Sequence, residues 1–173
     1  SNRIISITGI VANTGTNSTQ SISATPIRSG NAWGGTLQYT GSAAQTVVAG
    51  TYNNLTMSGS GGATATADIT VDGLLDLSSV NPSDTKGILD MGSYTLLMGP
   101  SSTTTGQGDV TGIVKRTSFV ANTIYSFGNP FTTVTFPNTG TLPTEWYFRI
   151  EIGTAPAWKT EAIQRTYDII RTG

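Results

Sequence analysis

Between Thr46 and Thr117 the chain alternates apolar and polar residues in short runs, each interrupted by a glycine. The runs are TVVAGTYNNLTM, DITVDGLLDL, GILDMGSYTLLM and GDVTGIVKR, turning at Gly50, Gly73, Gly92 and Gly112. Within them apolar residues lie two apart: Leu55 and Met57, Ile69 and Val71, Leu75 and Leu77, Leu89 and Met91, Leu96 and Met98. Side chains of a strand alternate between faces, so each pair points to one side. The glycines are spaced by 23, 19 and 20 residues, and self-similarity at such a period predicts stacked repeats. Aligned on the glycines, the runs predict one row of Val47, Ile69, Leu89 and Val110. A second row holds Leu55, Leu75, Leu96 and Val114, with Leu37 one step upstream. The glycine at each corner permits a bend that a β-carbon resists. The segments between runs, SGSGGATATA, SSVNPSDTK and GPSSTTTGQG, read as loops of turn formers. One coil buries almost nothing, whereas stacking at about 4.8 Å per layer joins the rows into a core. The pattern predicts an all-β chain built on a short right-handed parallel β-solenoid of about four coils. An antiparallel β-sandwich with irregular loops would also alternate and stands as the alternative.

The flanks read differently. Residues 1–36 form a predicted N-terminal strand and cap, 37–117 the solenoid, and 118–173 an antiparallel, sandwich-like C-terminal unit. RIISITGIVA, Arg3 to Ala12, alternates through Ile5 and Ile7 and predicts a terminal strand. NTGTNSTQS follows as a polar loop, and SISATPIRS as a short strand limited by Pro26. After Thr117 aromatic residues gather, from Phe119 through Trp146, Tyr147 and Phe148 to Tyr167. IYSFG, TTVTFP, EWYFRIEIG and TYDIIRTG read as strands joined at Pro130, Pro137, Pro143 and Pro156. An open solenoid end exposes a sheet edge and its core, so a cap is expected there. KTEAIQRT, Lys159 to Thr166, reads as a helical turn.

Composition sharpens this picture. Thr, Ser and Gly number 31, 17 and 21 of the 173 residues, a mix that suits exposed strands and starves helices. Charged residues make up 11% with net charge −1, which gives no electrostatic case for nucleic acid or an anionic membrane. No run of 18 apolar residues occurs, so no membrane insertion is predicted. Cysteine and histidine are both absent, which removes disulfides, thiolate chemistry, imidazole metal sites and the common serine triad. Ser1 in place of Met predicts a chain that begins after processing or at an artificial boundary.

The series TLQYTGSAAQTVVAGTYNNLTMSGSG, DMGSYTLLMG, GQGDVTGIVKRT, FPNTG and AIQRTYDIIRTG carries a family resemblance. It resembles the β-rich repeat regions of large secreted surface proteins of the Bacteroidetes type, often exported by the type IX route. In those, a GTYNNLTLSG-like coil leads to a GxVxGxVxR coil, then to an FPxG segment and a strand like NRYWDIxxTG. The resemblance covers roughly Leu37 to Gly173. It departs where FPNTG replaces FPxG and QRTYDI replaces NRYWDI. It implies an extracellular or cell-surface, fibrous protein without catalytic residues in this region. Members usually continue with further strands past the point matching Gly173, so it also implies a fragment, or a subunit whose last strand a partner completes.

Candidate chemistry is sparse. Asp68, Asp72, Asp76 and Asp90 are the carboxylates close in the repeat frame. A hydrolase or lyase on a β-helix needs clustered carboxylates in a groove, whereas Asp76 and Asp90 lie between core-facing residues and point outward. No DxDxDG-like spacing supports calcium. Lys115 and Arg116 are adjacent, hence on opposite faces, and one is expected to cap the last coil. Asn17-Ser18-Thr19 and Asn54-Leu55-Thr56 match the glycosylation sequon, with Leu55 a predicted core residue. No catalytic residue, metal or cofactor is predicted. Two function classes remain. A structural filament, sheath or stalk subunit would join copies of itself through terminal strands, with Ile5, Ile7, Tyr167 and Ile169 as anchors. An adhesin or carbohydrate-binding module would stack surface glycans on exposed aromatics, with Trp33, Tyr52 and Tyr94 as candidates.

Overall fold

The computed structural model describes residues 15–19, 30–78, 87–159 and 164–172. It is all-β, 59% strand, and its described residues contain no helix. A β-solenoid of about four turns is followed by an antiparallel sheet, as the alternating pattern predicts. Each turn passes through three stacks of parallel strands. The first stack holds β3 (Gln45–Val47), β5 (Ala63–Ala65) and the starts of β8 (Leu89–Met98) and β10 (Val110–Thr117). The second holds the starts of β2 (Asn31–Tyr39) and β4 (Gly50–Met57), then β6 (Ile69–Val71) and the ends of β8 and β10. The third holds β1 (Thr16–Thr19), the ends of β2 and β4, β7 (Leu74–Leu77) and β9 (Thr103–Gly106).

The period-two pattern fills the space between the stacks. Inward positions place Trp33, Tyr52, Val71, Met98 and Arg116 in one continuous row, each in register with the next. Leu37, Leu55, Leu75 and Thr104 form a row in the third stack. Gln45, Ala63, Leu89 and Val110 form one in the first. All of these side chains are buried. Each large apolar one contributes about 1.5–3 kcal/mol by leaving water, so the rows supply most of the force that holds one turn on the next. Gln45 is the polar member of its row. Its Nε2 donates to the Thr19 carbonyl at 3.1 Å, and its Oε1 accepts from the Gly41 N–H at 2.6 Å.

The register differs from the glycine-based alignment. Leu37–Leu55–Leu75, Leu89–Val110 and Leu96–Val114 are paired as expected. Ile69, however, lies opposite Leu96 rather than Leu89, and Leu75 lies opposite Thr104 rather than Leu96. The cause is that a turn has three strands, not two. The missed strands, ATA in β5 and TTTG in β9, fall in segments read as loops. Gly92 and Gly112 turn the chain from the first stack into the second, with φ of 53° and 93°. Gly73 turns it from the second into the third. A β-carbon there would meet Asn54 Oδ1 at 2.5 Å and the Asn53 carbonyl oxygen at 2.7 Å. Turn length also varies. In the first stack Gln45 to Ala63 is 18 residues, Ala63 to Leu89 is 26 and Leu89 to Val110 is 21, yet all four positions stay in register.

At its C-terminal end the solenoid sheet changes direction without breaking. β13 (Glu145–Gly153) pairs antiparallel with β10, and β14 (Gln164–Thr172) pairs antiparallel with β13. The antiparallel unit therefore shares the solenoid's sheet. A separate hairpin of β11 (Ile124–Ser126) and β12 (Thr133–Thr135) completes it. Phe119 packs edge-on against Tyr125 and Phe136, and Phe127 lies 4.5 Å from Phe148 between ring centres. These rings cover the inward residues of the last turn. Gln164 to Thr166, read from the sequence as part of a helical turn, instead begin β14.

Arg116 holds the cap to the solenoid. Its side chain ends the row begun by Trp33 and is 1% exposed. Nε donates to the Ser126 carbonyl at 2.8 Å, and the terminal nitrogens to the Gly99 and Ser102 carbonyls at 2.8 and 2.7 Å. The guanidinium also lies 5.4 Å from the Tyr125 ring centre and 5.8 Å from that of Phe127. Burial lowers its pKa to about 10, so the ion stays charged at neutral pH. Lys115, on the opposite face as the sequence requires, pairs with Glu145 on β13.

Candidate functional site

The repeat-frame carboxylates serve the turns. Asp68 accepts the Thr95 N–H at 2.7 Å. Asp76 accepts from the Ser78 N–H and the Thr105 hydroxyl. Asp90 accepts from the Gly92 N–H and the Thr111 hydroxyl. The bonds to Thr95, Thr105 and Thr111 tie neighbouring turns on the outer surface, and those to Ser78 and Gly92 brace the chain locally. Among the described residues no three acidic side chains gather as a metal site. The grooves beside them are shallow. One of about 370 Å³ runs past Asp68, Thr70, Thr95 and Lys115.

The structure corrects the proposed glycan platform. Trp33 and Tyr52 are core residues in the same inward row, not surface aromatics. Tyr52 donates its hydroxyl to the Val48 carbonyl at 2.7 Å, and burial raises its phenol pKa. Burial likewise raises that of neighbouring Tyr39, to about 12. The physical reason is parity. Trp33 and Tyr52 stand at inward positions of the pleat, and their rings fill the core where no leucine stands. Tyr94 alone of the three is exposed, so no two of the candidates form a common stacking surface.

The terminal-strand anchors divide. Ile5 and Ile7 lie outside the described residues. Tyr167 and Ile169 sit together on β14, opposite Ile150 and Phe148 of β13 and on the same face as those core residues. The cap covers Phe148 and Ile150 but not the next strand, so Ile169 is 56% exposed. β14 has no strand on its outer side among the described residues. Among the described residues, the exposed large apolar side chains lie mostly in the stretch after Thr117: Val120, Ile124, Phe131, Ile152, Trp158, Tyr167, Ile169 and Ile170, against Tyr94 before it.

One polar cluster positions β14, and the sequence reading missed it. Asp109, buried just before β10, accepts Arg165 from β14 through both carboxylate oxygens, the closest contact being 2.7 Å. It also accepts Asn129 Nδ2 at 2.6 Å. The hydrogen bond to Asp109 raises the pKa of Arg165 further. Asn129 in turn donates to the Gly108 carbonyl and accepts the Phe131 N–H. The two charged partners are 56 residues apart, so no local spacing could have joined them. The one local signal was an aspartate directly before a core valine.

No protein-family model, curated protein or solved structure matches the chain.

Proposed function

We propose that the chain is an extracellular structural protein, a self-assembling filament, sheath or stalk subunit joined to its copies through terminal strands. The observation that carries this reading is the β14 edge, which has no further strand beside it among the described residues and lies in the stretch that holds most of their exposed apolar side chains. Proteins normally guard such an edge with charges, proline or a covering element. Here Arg165 is turned back onto Asp109, leaving Asp168 and Arg171 as the strand's other charges. A strand added to that edge gains main-chain hydrogen bonds and alternate side-chain contacts. The extracellular assignment rests on the resemblance to secreted surface repeats and on the threonine-rich, cysteine-free composition. The segment of Ile5 and Ile7, expected from the sequence to be a strand, is the second candidate for exchange in this reading. The glycan-binding alternative retains Tyr94 and loses support from Trp33 and Tyr52.

Negative-stain microscopy and light scattering over a concentration series test the proposal. Oligomers or fibres are expected. Deletion of residues 1–12 should give a folded protein that assembles less if that strand is exchanged, and a destabilised one if it pairs with its own chain. A strictly monomeric protein at high concentration, with no fibres, would refute the assembly reading.

A further inference from the structure

The β14 edge has a sequence that suits a copy of itself. We infer that two chains join tail to tail, β14 against β14 and antiparallel, with Ile169 on the two-fold axis. This rests on the assembly reading above and specifies its C-terminal joint.

The geometry limits the options. A two-fold axis normal to the sheet brings edge to edge, reverses strand direction and keeps the faces in common. Facing residues then share a face, so the axis passes through a residue position. Centring on Asp168 would set that carboxylate against itself and Arg165 against Arg171, so every charged residue of the strand would face a like charge, which is destabilising. Centring on Tyr167 sets Arg165 against Ile169, while Arg165 is already held by Asp109. Centring on Ile169 sets that side chain against its own copy, Asp168 against Ile170, and Tyr167 against Arg171. No like charges then face one another, and a guanidinium meets an aromatic ring, a favourable pairing. The joint also continues the face of Phe148 and Ile150, so the exposed side of Ile169 gains apolar cover. Phe131 adds to it: its neighbour Thr132 lies 3.4 Å from the Tyr167 hydroxyl, and the Phe131 ring is 82% exposed.

One strand edge buries little, below about 1,200 Å² in total, a size typical of weak complexes. The dimer should therefore dissociate on dilution, and such an isologous joint closes on itself rather than propagating. A filament then needs a second, different contact at the other end.

The chain's lack of cysteine gives a direct test. Directly opposed residues of an antiparallel pair have Cα atoms about 4.5–5.5 Å apart, within disulfide reach. Ile169→Cys should cross-link to a dimer under mild oxidation, and Ile170→Cys, which would face Asp168, should not. Ile169→Lys and Ile169→Glu should each weaken dimerisation at least about tenfold in sedimentation, by like-charge repulsion on the axis. Mixing them one to one should restore it. Both sites are exposed, and an unchanged melting curve confirms the fold of each variant. If wild type assembles but Ile169→Cys cross-links no better than Ile170→Cys, the two-fold joint is wrong and the assembly reading stands. Wild type that stays monomeric at every concentration refutes both.

Discussion

Replacing Arg116 with Met tests whether a buried ion holds the cap on the solenoid. The methionine keeps an unbranched stem in the same row but donates nothing. It leaves the Ser102 and Ser126 carbonyls without the guanidinium donor, while the Gly99 carbonyl keeps the Ser102 N–H and hydroxyl. An orphaned buried acceptor costs about 1–3 kcal/mol, so two cost about 2–6. Removing the ion also recovers part of the penalty of holding a charge out of water. The fall in pKa to about 10 scales that penalty at about 3 kcal/mol. The expected net loss is about 1 kcal/mol. For a chain of this length that is about 2–4 °C in Tm. Denaturant unfolding followed by far-ultraviolet circular dichroism and tryptophan fluorescence measures it, since Trp146 lies against Phe136 in the cap. Arg116→Lys should recover only part of the loss, because a single ammonium cannot span three carbonyls held in a fork. If Arg116→Met unfolds within about 0.5 kcal/mol of wild type, a difference ordinary for surface substitutions, the carbonyls have found other donors and the staple is not what fixes the cap.

Leu75→Asp and Leu96→Asp should abolish the cooperative melt, since each buries an unpaired charge in a closed row, whereas Asp76→Ala, losing exposed bonds to Ser78 and Thr105, should shift stability by less than about 1 kcal/mol; leucine variants that melt like wild type would show the rows are misassigned. Asp109→Ala should raise amide exchange across β14 by releasing Arg165 and Asn129, and unchanged exchange there would mean the strand is held by β13 alone. Acidic polysaccharides should not be turned over in reducing-end and unsaturated-product assays; activity that disappears with Asp72→Asn or Asp90→Asn would overturn the structural reading.

Which residues face the core was legible because that depends on parity, which is local. Leu55 with Met57 and Leu96 with Met98 fix which face is buried without any knowledge of the partner strand. The number of strands per turn was not legible. β5 and β9 are alanine and threonine segments, whose small and polar residues carry the same signal as loops. Glycine marks two kinds of corner alike, so the run around Gly73 was placed one stack out of step with those around Gly92 and Gly112. The site divided in the same way. That Tyr167 and Ile169 share a face was legible because they alternate on a strand. Trp33 and Tyr52 were misread because an aromatic ring at an inward position looks the same in sequence as one at an outward position until the register is known. The pairs of Arg116 with three carbonyls and of Asp109 with Arg165 belong to tertiary packing over long sequence separations.

The unequal turn lengths have a consequence for what the scaffold tolerates. The step from Ala63 to Leu89 carries several residues more than its neighbours, yet Leu89 meets Ala63 on one side and Val110 on the other. The register of the rows is therefore independent of how many residues separate one row position from the next. Lengthening a connection between two fixed points costs little, about 0.6 kcal/mol for each doubling. The longest step is accordingly a permissive graft point: a foreign epitope or a variable peptide inserted between Ser78 and Gly87 should leave the rows, and therefore the fold, as they are.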